Sequence, residues 1–420
     1  MKHKEKQTVV VVGAGFGGLQ LVKHLNHTDY NIILIDKTNH HLFQPLLYQV
    51  AMSALSPADI SAPIRTILKN SKNLEVIMGE VQAIDRKTKS LYVNGASIDY
   101  DTLVIAAGAK HAYFGHDEWE AHAPGLKTLA DALAIRGKML ISFEEAESNA
   151  FTGSDTPPVR FVVVGGGPTG VELAGALAEI ARKTLRHDFK TIDTSKTEII
   201  LIEGADRLLT AYDEPLNQKA LKDLTALGVK VRLNTIVTNI DETGVYIGDE
   251  KIETRNVIWA AGNTASPVIA SLETETDRAG RAVVNPDCTL PDDPEVFVIG
   301  DAALFTEKGK PLPGIAPVAM QQGRYVAKLL KRRLKGKNTP PFKYFNRGSM
   351  ATIGRARAVF QAGNIKISGF FAWFLWVFIH IMYLIGFRNR YRVMAEWMWY
   401  YLSYKPGARL ITTDPYRKPF

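Results

Sequence analysis

Short apolar runs recur through the first three hundred residues, and each stops at a glycine, a carboxylate or Ala-Ala-Gly. They are Val9–Val12, Asn31–Ile35, Thr102–Ile105, Phe161–Val164, Glu198–Ile202, Asn256–Trp259 and Val296–Ile299. Runs this short and this rich in Val and Ile read as strands buried on both faces of a parallel sheet. Helical periods lie between them, from about residue 19 to 25 and from about 171 to 184. Strands alternating with helices predict an α/β fold. The pattern changes after Lys366. Residues 367–387 carry no charge, and residues 387–402 follow as an amphipathic stretch with Met394, Trp397, Met398 and Tyr401 at helical spacing.

The first run opens into Gly13, Ala14, Gly15, Phe16, Gly17 and Gly18, so Gly13, Gly15 and Gly18 fit G-x-G-x-x-G. The first glycine permits the tight turn, the second lets backbone approach a pyrophosphate, and the third packs helix on strand. The next strand ends in Asp36, placed to accept ribose hydroxyls. A second copy has Gly165, Gly167 and Gly170, then a strand ending in Glu203. Each copy closes on a strand followed by Ala-Ala-Gly: Ala107-Gly108 ends the first and Ala261-Gly262 the second. Gly13 to Gly108 is 95 residues and Gly165 to Gly262 is 97. One glycine fingerprint is weak evidence, but two with matched partners at matched spacing predict two dinucleotide sites. The economical assignment is a non-covalent FAD at the first and NADH as co-substrate at the second. Glu203 would repel a 2′-phosphate and so favours NADH, although Arg207 is close in sequence. A third strand ends in Gly300-Asp301, where a carboxylate suits a ribityl chain and a following helix N-terminus would face the flavin ring; a plain helix cap is the alternative.

Composition narrows the chemistry. The 420 residues include one cysteine, Cys288, which excludes disulfide frameworks, dithiol redox couples and thiolate-held clusters. No metal and no covalent nucleophile are expected. Residues 9–12 are too short an apolar run for a signal peptide, so the body is expected on the cytoplasmic side. Net charge is +8, but no nucleic-acid motif accompanies it. Sixteen of the 39 aromatic residues follow Lys366, far more than a uniform domain would place there.

With these motifs in place, the chain resembles the two-dinucleotide-binding-domain flavoprotein reductases, and among them the type II NADH dehydrogenases. Residues 40–51, from His40 to Ala51, and residues 348–356, from Gly348 to Ala356, are similar to segments typical of that family. The family's quinone-side signature, close to Ala-Gln-x-Ala-x-Gln, is matched by residues 316–321 with Pro317 at the first glutamine and Gln321 at the second. The resemblance implies NADH:quinone oxidoreduction without proton pumping, in which hydride passes to FAD and a membrane quinone is then reduced by two electrons. It implies that Glu172 lies near the flavin, the nicotinamide and the quinone, and that Gln321 meets the quinone or the flavin edge. The plainer role for Glu172 is to complement a helix N-terminus, and for Gln321 to be a surface amide. His40, His41 and Tyr48 stay open, and for His41 loop polarity is an equal reading.

The expected architecture is two Rossmann-like dinucleotide-binding domains with a C-terminal helical membrane-attachment segment. The FAD domain is discontinuous, 1–114 and 285–345. The NADH domain is 115–284, and the membrane segment is 346–420. Residues 367–387 are long enough to span a bilayer. His380 at their middle and the spread of Trp373, Trp376 and Tyr383 favour two helices lying on the inner face of the cytoplasmic membrane. A homodimer interface is the other use for such a face. Two further functions compete: a soluble reductase of a protein electron carrier, which needs no aromatic tail, and a slow flavoprotein with a binding role.

Overall fold

The computed structural model describes residues 6–155, 157–403 and 409–411. The expected runs form strands. Thr8–Val12 lies at the centre of a six-stranded sheet with Val9, Val10 and Val11 fully buried. Its parallel neighbours are Asn31–Asp36 and Thr102–Ile105, followed outward by Leu74–Met78 on one side and Asp293–Val298 on the other. Thr289–Leu290 closes the edge antiparallel. The second copy builds a four-stranded parallel sheet in the order Val229–Arg232, Glu198–Ile202, Arg160–Val164, Asn256–Trp259. Each copy also carries a three-stranded antiparallel meander ahead of its closing strand. It spans Val81–Asp99 in the first copy and Asn239–Glu253 in the second, which accounts for the matched spacing.

The chain divides into two compact units. One takes the chain to Leu42, Ala62–Lys110 and Asn263–Phe345; the other takes Phe43–Ser61, His111–Gly262 and the chain from Asn346. These limits differ from the expected domains in three places. Phe43–Ser61 joins the second unit instead of the first. Residues 263–284 join the first unit instead of the second, because Ala265, Val268, Ile269 and Leu272 bury into the cluster of Val81, Ile84 and Leu91. The C-terminal region is no separate body. Its hairpin sheet of Ser349–Gly354, Arg357–Ala362 and Ile365–Ser368 packs on the second glycine helix. The approach is so close that a Cβ at Gly175 would lie 1.8 Å from the Ile353 carbonyl oxygen.

Two helices end the described chain, Phe370–Tyr383 and Phe387–Ser403. Gly369 (φ +77°) and Gly386 (φ +87°) precede them, in backbone conformations that favour glycine. Among the described residues no helix is long and apolar enough to cross a membrane. The expected stripe on the last helix divides: Trp397 turns inward, while Met394 and Met398 are exposed. The side chains of Arg388 and Tyr401 lie outside the described residues.

Candidate active site

The two glycine turns share one geometry. In the first, Gly13 N–H donates to the Ile35 carbonyl at 2.7 Å; in the second, Gly165 N–H donates to the Ile202 carbonyl at 2.7 Å. Gly13 (φ +102°) and Gly165 (φ +110°) are left-handed, and a Cβ on either would strike its closing Ala-Ala turn, at Ala106 or Ala260. Gly18 and Gly170 press on the carbonyls of Gly13 and Gly165, within 2 Å of where a Cβ would sit. Gly15 and Gly167 differ from these. Nothing lies within 4 Å of an added Cβ at either, and no side chain caps the helix that each begins. Uncapped N–H groups above open space form a cradle for an anion, so the residues present fit a dinucleotide pyrophosphate at both turns.

The acidic strand ends support the same fit. Asp36 accepts from Ala14 N–H at 2.6 Å and from Thr38 N–H at 2.8 Å. Glu203 accepts from Gly166 N–H at 2.5 Å and from Ala205 N–H at 2.8 Å. Each carboxylate is therefore fixed beside its glycine turn with acceptor capacity remaining. Arg207 pairs with Asp206 at 3.3 Å. His41 is buried, bonds the Ala14 carbonyl at 2.9 Å through Nδ1 and meets the Phe16 ring edge-on, so it braces the first turn from within. Burial holds its imidazole below the usual range, and therefore neutral.

At the third motif, Gly300–Ala302 is a short 3-10 turn and no helix follows it directly. The helix near Asp301 is Ala316–Arg333, reached fifteen residues later. A Cβ at Gly314 would lie 3.2 Å from the Asp301 carboxyl carbon. Gln321 exchanges two hydrogen bonds with the Phe345 backbone, both 3.0 Å. Its neighbour Gln322 is buried and accepts from Gly300 N–H at 2.7 Å. The Gly-Asp turn is thus held by Gln322, a residue the motif spacing passes over.

A cavity within the second unit gathers residues far apart in the chain. Glu172, Ala176, Glu179 and Ile180 line one wall, and Trp373, Trp376, Val377 and Trp397 line another. Tyr48, from the family-like segment of residues 40–51, and Met52 just after it complete the cavity. Gln49 donates to the Tyr48 hydroxyl at 2.9 Å and accepts from the Trp397 indole N–H at 2.7 Å, tying the last helix to that segment. His380 stacks on Trp376 with ring centres 4.1 Å apart, and burial drives its pKa down to about 4, so the stack is uncharged. Glu172 has one weak partner, Thr352 N–H at 3.4 Å. Desolvation pushes its pKa up to about 8, leaving a neutral carboxylic acid at pH 7.

Residues 7–323 match the model of the pyridine nucleotide-disulphide oxidoreductases, and residues 346–403 match the NDH2 C-terminal domain. The chain is 43% identical to the type II NADH:quinone oxidoreductase NdhA of Mycobacterium tuberculosis, covering 97% of this chain and 90% of that protein. The chain belongs to the type II NADH:quinone oxidoreductase family. A member from Staphylococcus haemolyticus is 31% identical over 84% of this chain and 88% of its own length. The fold of the family extends to the NDH2 of Plasmodium falciparum solved with NADH (TM-score 0.86, 21% identical, 96% of this chain and 99% of that one). It extends further to the sulfide:quinone oxidoreductase of Aquifex aeolicus (TM-score 0.73, 21% identical, 93% and 92%). Cys288, the lone cysteine of this type II chain, is fully buried, and burial pushes its thiol pKa up.

Proposed function

We propose that the chain oxidises NADH and reduces a quinone by two electrons, with FAD held at the first glycine turn and NADH at the second. The observation that carries the quinone half is the cavity. It sets a neutral, half-buried carboxylic acid, Glu172, among Trp373, Trp376 and Trp397. An aromatic wall suits a flat apolar ring, and a protonated carboxyl suits an acceptor that takes up protons as it is reduced. The family's FAD supplies the two-electron exchange between nicotinamide and acceptor. The chain's own tasks are narrower. Uncapped helix ends at Gly15 and Gly167 hold pyrophosphates, Asp36 and Glu203 hold riboses, and Asp301 holds the ribityl chain. Gln321, with its amide fixed by Phe345, orients the flavin or quinone edge.

The tail supports attachment to the inner face of the cytoplasmic membrane. Phe371, Phe374 and Phe378 are 76%, 59% and 57% exposed on one apolar helix, beside Met382, Met394, Met398 and Trp399. An apolar patch of this kind marks a membrane or protein contact. The opposite sides of the same two helices form the cavity's aromatic wall, so a lipid-soluble acceptor would arrive where the wall begins. The test is steady-state turnover of FAD-loaded protein with NADH and a short-chain quinone, alongside the Glu172→Gln and Gln321→Ala variants. Both are expected to lower quinone turnover more than FAD content. Wild-type turnover in both removes these roles.

A further inference from the structure

The cavity's second carboxyl has no part in the reading above. Glu179 lies two helical turns beyond Glu172 on the same face of one helix, about 10 Å along its axis. Between them stands Ala176, whose small side chain leaves the space open. The hairpin Ser349–Ala362 serves both acids alike. Thr352 N–H reaches Oε1 of Glu172 at 3.4 Å, and Arg355 N–H reaches Oε1 of Glu179 at 2.6 Å. Among the described residues the second oxygen of each carboxyl has no hydrogen bond.

Immediately after Glu179 the helix widens into a π-helical turn, Ile180–Thr184. Such turns add a residue to the helix and are common at functional sites. Here the turn brings Thr184 to the cavity wall, where its hydroxyl is buried and has no partner among the described residues. The indole N–H of Trp376, 2% exposed on the facing wall, also lacks a partner among the described residues. Buried donors and acceptors left in this state belong to ordered water or to a ligand's polar atoms.

We propose that Glu179 and Thr184, through water in this cavity, resupply Glu172 with the proton that quinone reduction takes from the medium. This rests on the reading of the cavity as the quinone site. The balance is NADH, quinone and one proton giving NAD⁺ and hydroquinone. The hydride carries both electrons and one of the two protons. The O–H bond of Glu172 breaks as a hydroquinone O–H forms, and its carboxylate regains a proton passed from Glu179, which takes one from water. Lys183 on the same helix and Arg355 and Arg357 of the hairpin face Glu179 and oppose the desolvation that raises its pKa; Tyr212 faces Glu172. Glu179 is thus a relay and not a second acid at the substrate.

The test uses full-length, FAD-loaded protein under anaerobic mixing, with wild type, Glu179→Gln, Glu179→Asp, Thr184→Val and Glu172→Gln. In Glu179→Gln, NADH is expected to reduce the bound flavin at the wild-type rate. Reoxidation by a short-chain quinone is expected to slow at least fivefold, with a larger solvent isotope effect and a pH profile falling off at lower pH. Glu179→Asp should restore most of the rate, and Thr184→Val should give a smaller loss with the same isotope signature. If Glu172→Gln slows the quinone step while Glu179→Gln and Thr184→Val leave rate, profile and isotope effect unchanged, the relay is overturned and the quinone site stands. If Glu172→Gln is also without effect, the quinone reading fails and the relay with it. Should Glu179→Gln not fold, Glu179→Asp and Thr184→Val decide by the same signature.

Discussion

At the scale of single residues, the chemistry turns on where carboxyl groups are dry. Glu172 has lost water and gained only one long hydrogen bond, so its proton stays on to about pH 8. The linkage sign follows from this. Between the ordinary carboxylate range and pH 8 the folded state binds a proton that the unfolded state has released, so the term is unfavourable to folding and grows as pH rises. Glu172→Gln, neutral at every pH, should therefore lose less stability than wild type between pH 5 and pH 8, as denaturant midpoints at the two pH values will show. The same variant should cut quinone turnover roughly a hundredfold, the usual size of a lost general acid. At the other site, Glu203 sits against its glycine turn with no cation on it among the described residues, and Arg207 is paired with Asp206. Replacing Glu203 with Ala should shift the ratio of kcat/KM for NADH over NADPH roughly tenfold toward NADPH, the size of one charge-assisted hydrogen bond.

At the scale of elements, glycines with the same name do different work. Gly18 is a packing glycine. A Cβ there would lie 1.9 Å from the Gly13 carbonyl oxygen, and Gly18→Ala should cost about 1–3 kcal/mol of stability by overpacking. Gly15 faces open space, so Gly15→Val should leave apoprotein stability nearly unchanged while abolishing FAD retention. Thermal melts with and without added FAD separate the two. Both turns were legible from the sequence because each motif is local: strand, glycines and acid follow one another from Thr8 to Asp36 and from Arg160 to Glu203. The cavity was not legible. Tyr48, Glu172, Trp376 and Trp397 are brought together only by tertiary packing, and no periodicity links them. Nor does spacing distinguish Gln321 from Gln322, because adjacent helix positions differ in which way they face and only the fold supplies that direction.

At the scale of the whole molecule, the aromatic excess of the tail has two uses. Its inward half, with Trp376 and Trp397, completes the cavity; its outward half, with Phe371, Phe374 and Phe378, remains exposed. Composition showed the excess but could not divide it. Two cations of the last helix find partners within the protein: Arg390 donates to the Leu384 carbonyl at 2.8 Å, and the half-exposed Arg392 reaches Asp59 at 4.0 Å. Attachment should therefore depend more on the phenyl rings than on charge. Replacing Phe371, Phe374 and Phe378 together with Ser should weaken liposome binding roughly a thousandfold or more, at about 1.5–3 kcal/mol per ring, with little effect of salt. Turnover with a water-soluble quinone should persist. If the substitutions alter the oligomeric state and leave liposome binding intact, the face is a contact between copies of the chain.

Two-electron transfer from NADH to quinone fixes the stoichiometry of the reaction, and one measurement reads it. FAD-loaded protein is mixed anaerobically with NADH and a short-chain quinone, and both are followed in one sample. One hydroquinone is expected for each NADH consumed, with turnover ceasing when quinone is exhausted. NADH consumption independent of quinone, or turnover only with a protein electron carrier, would contradict it.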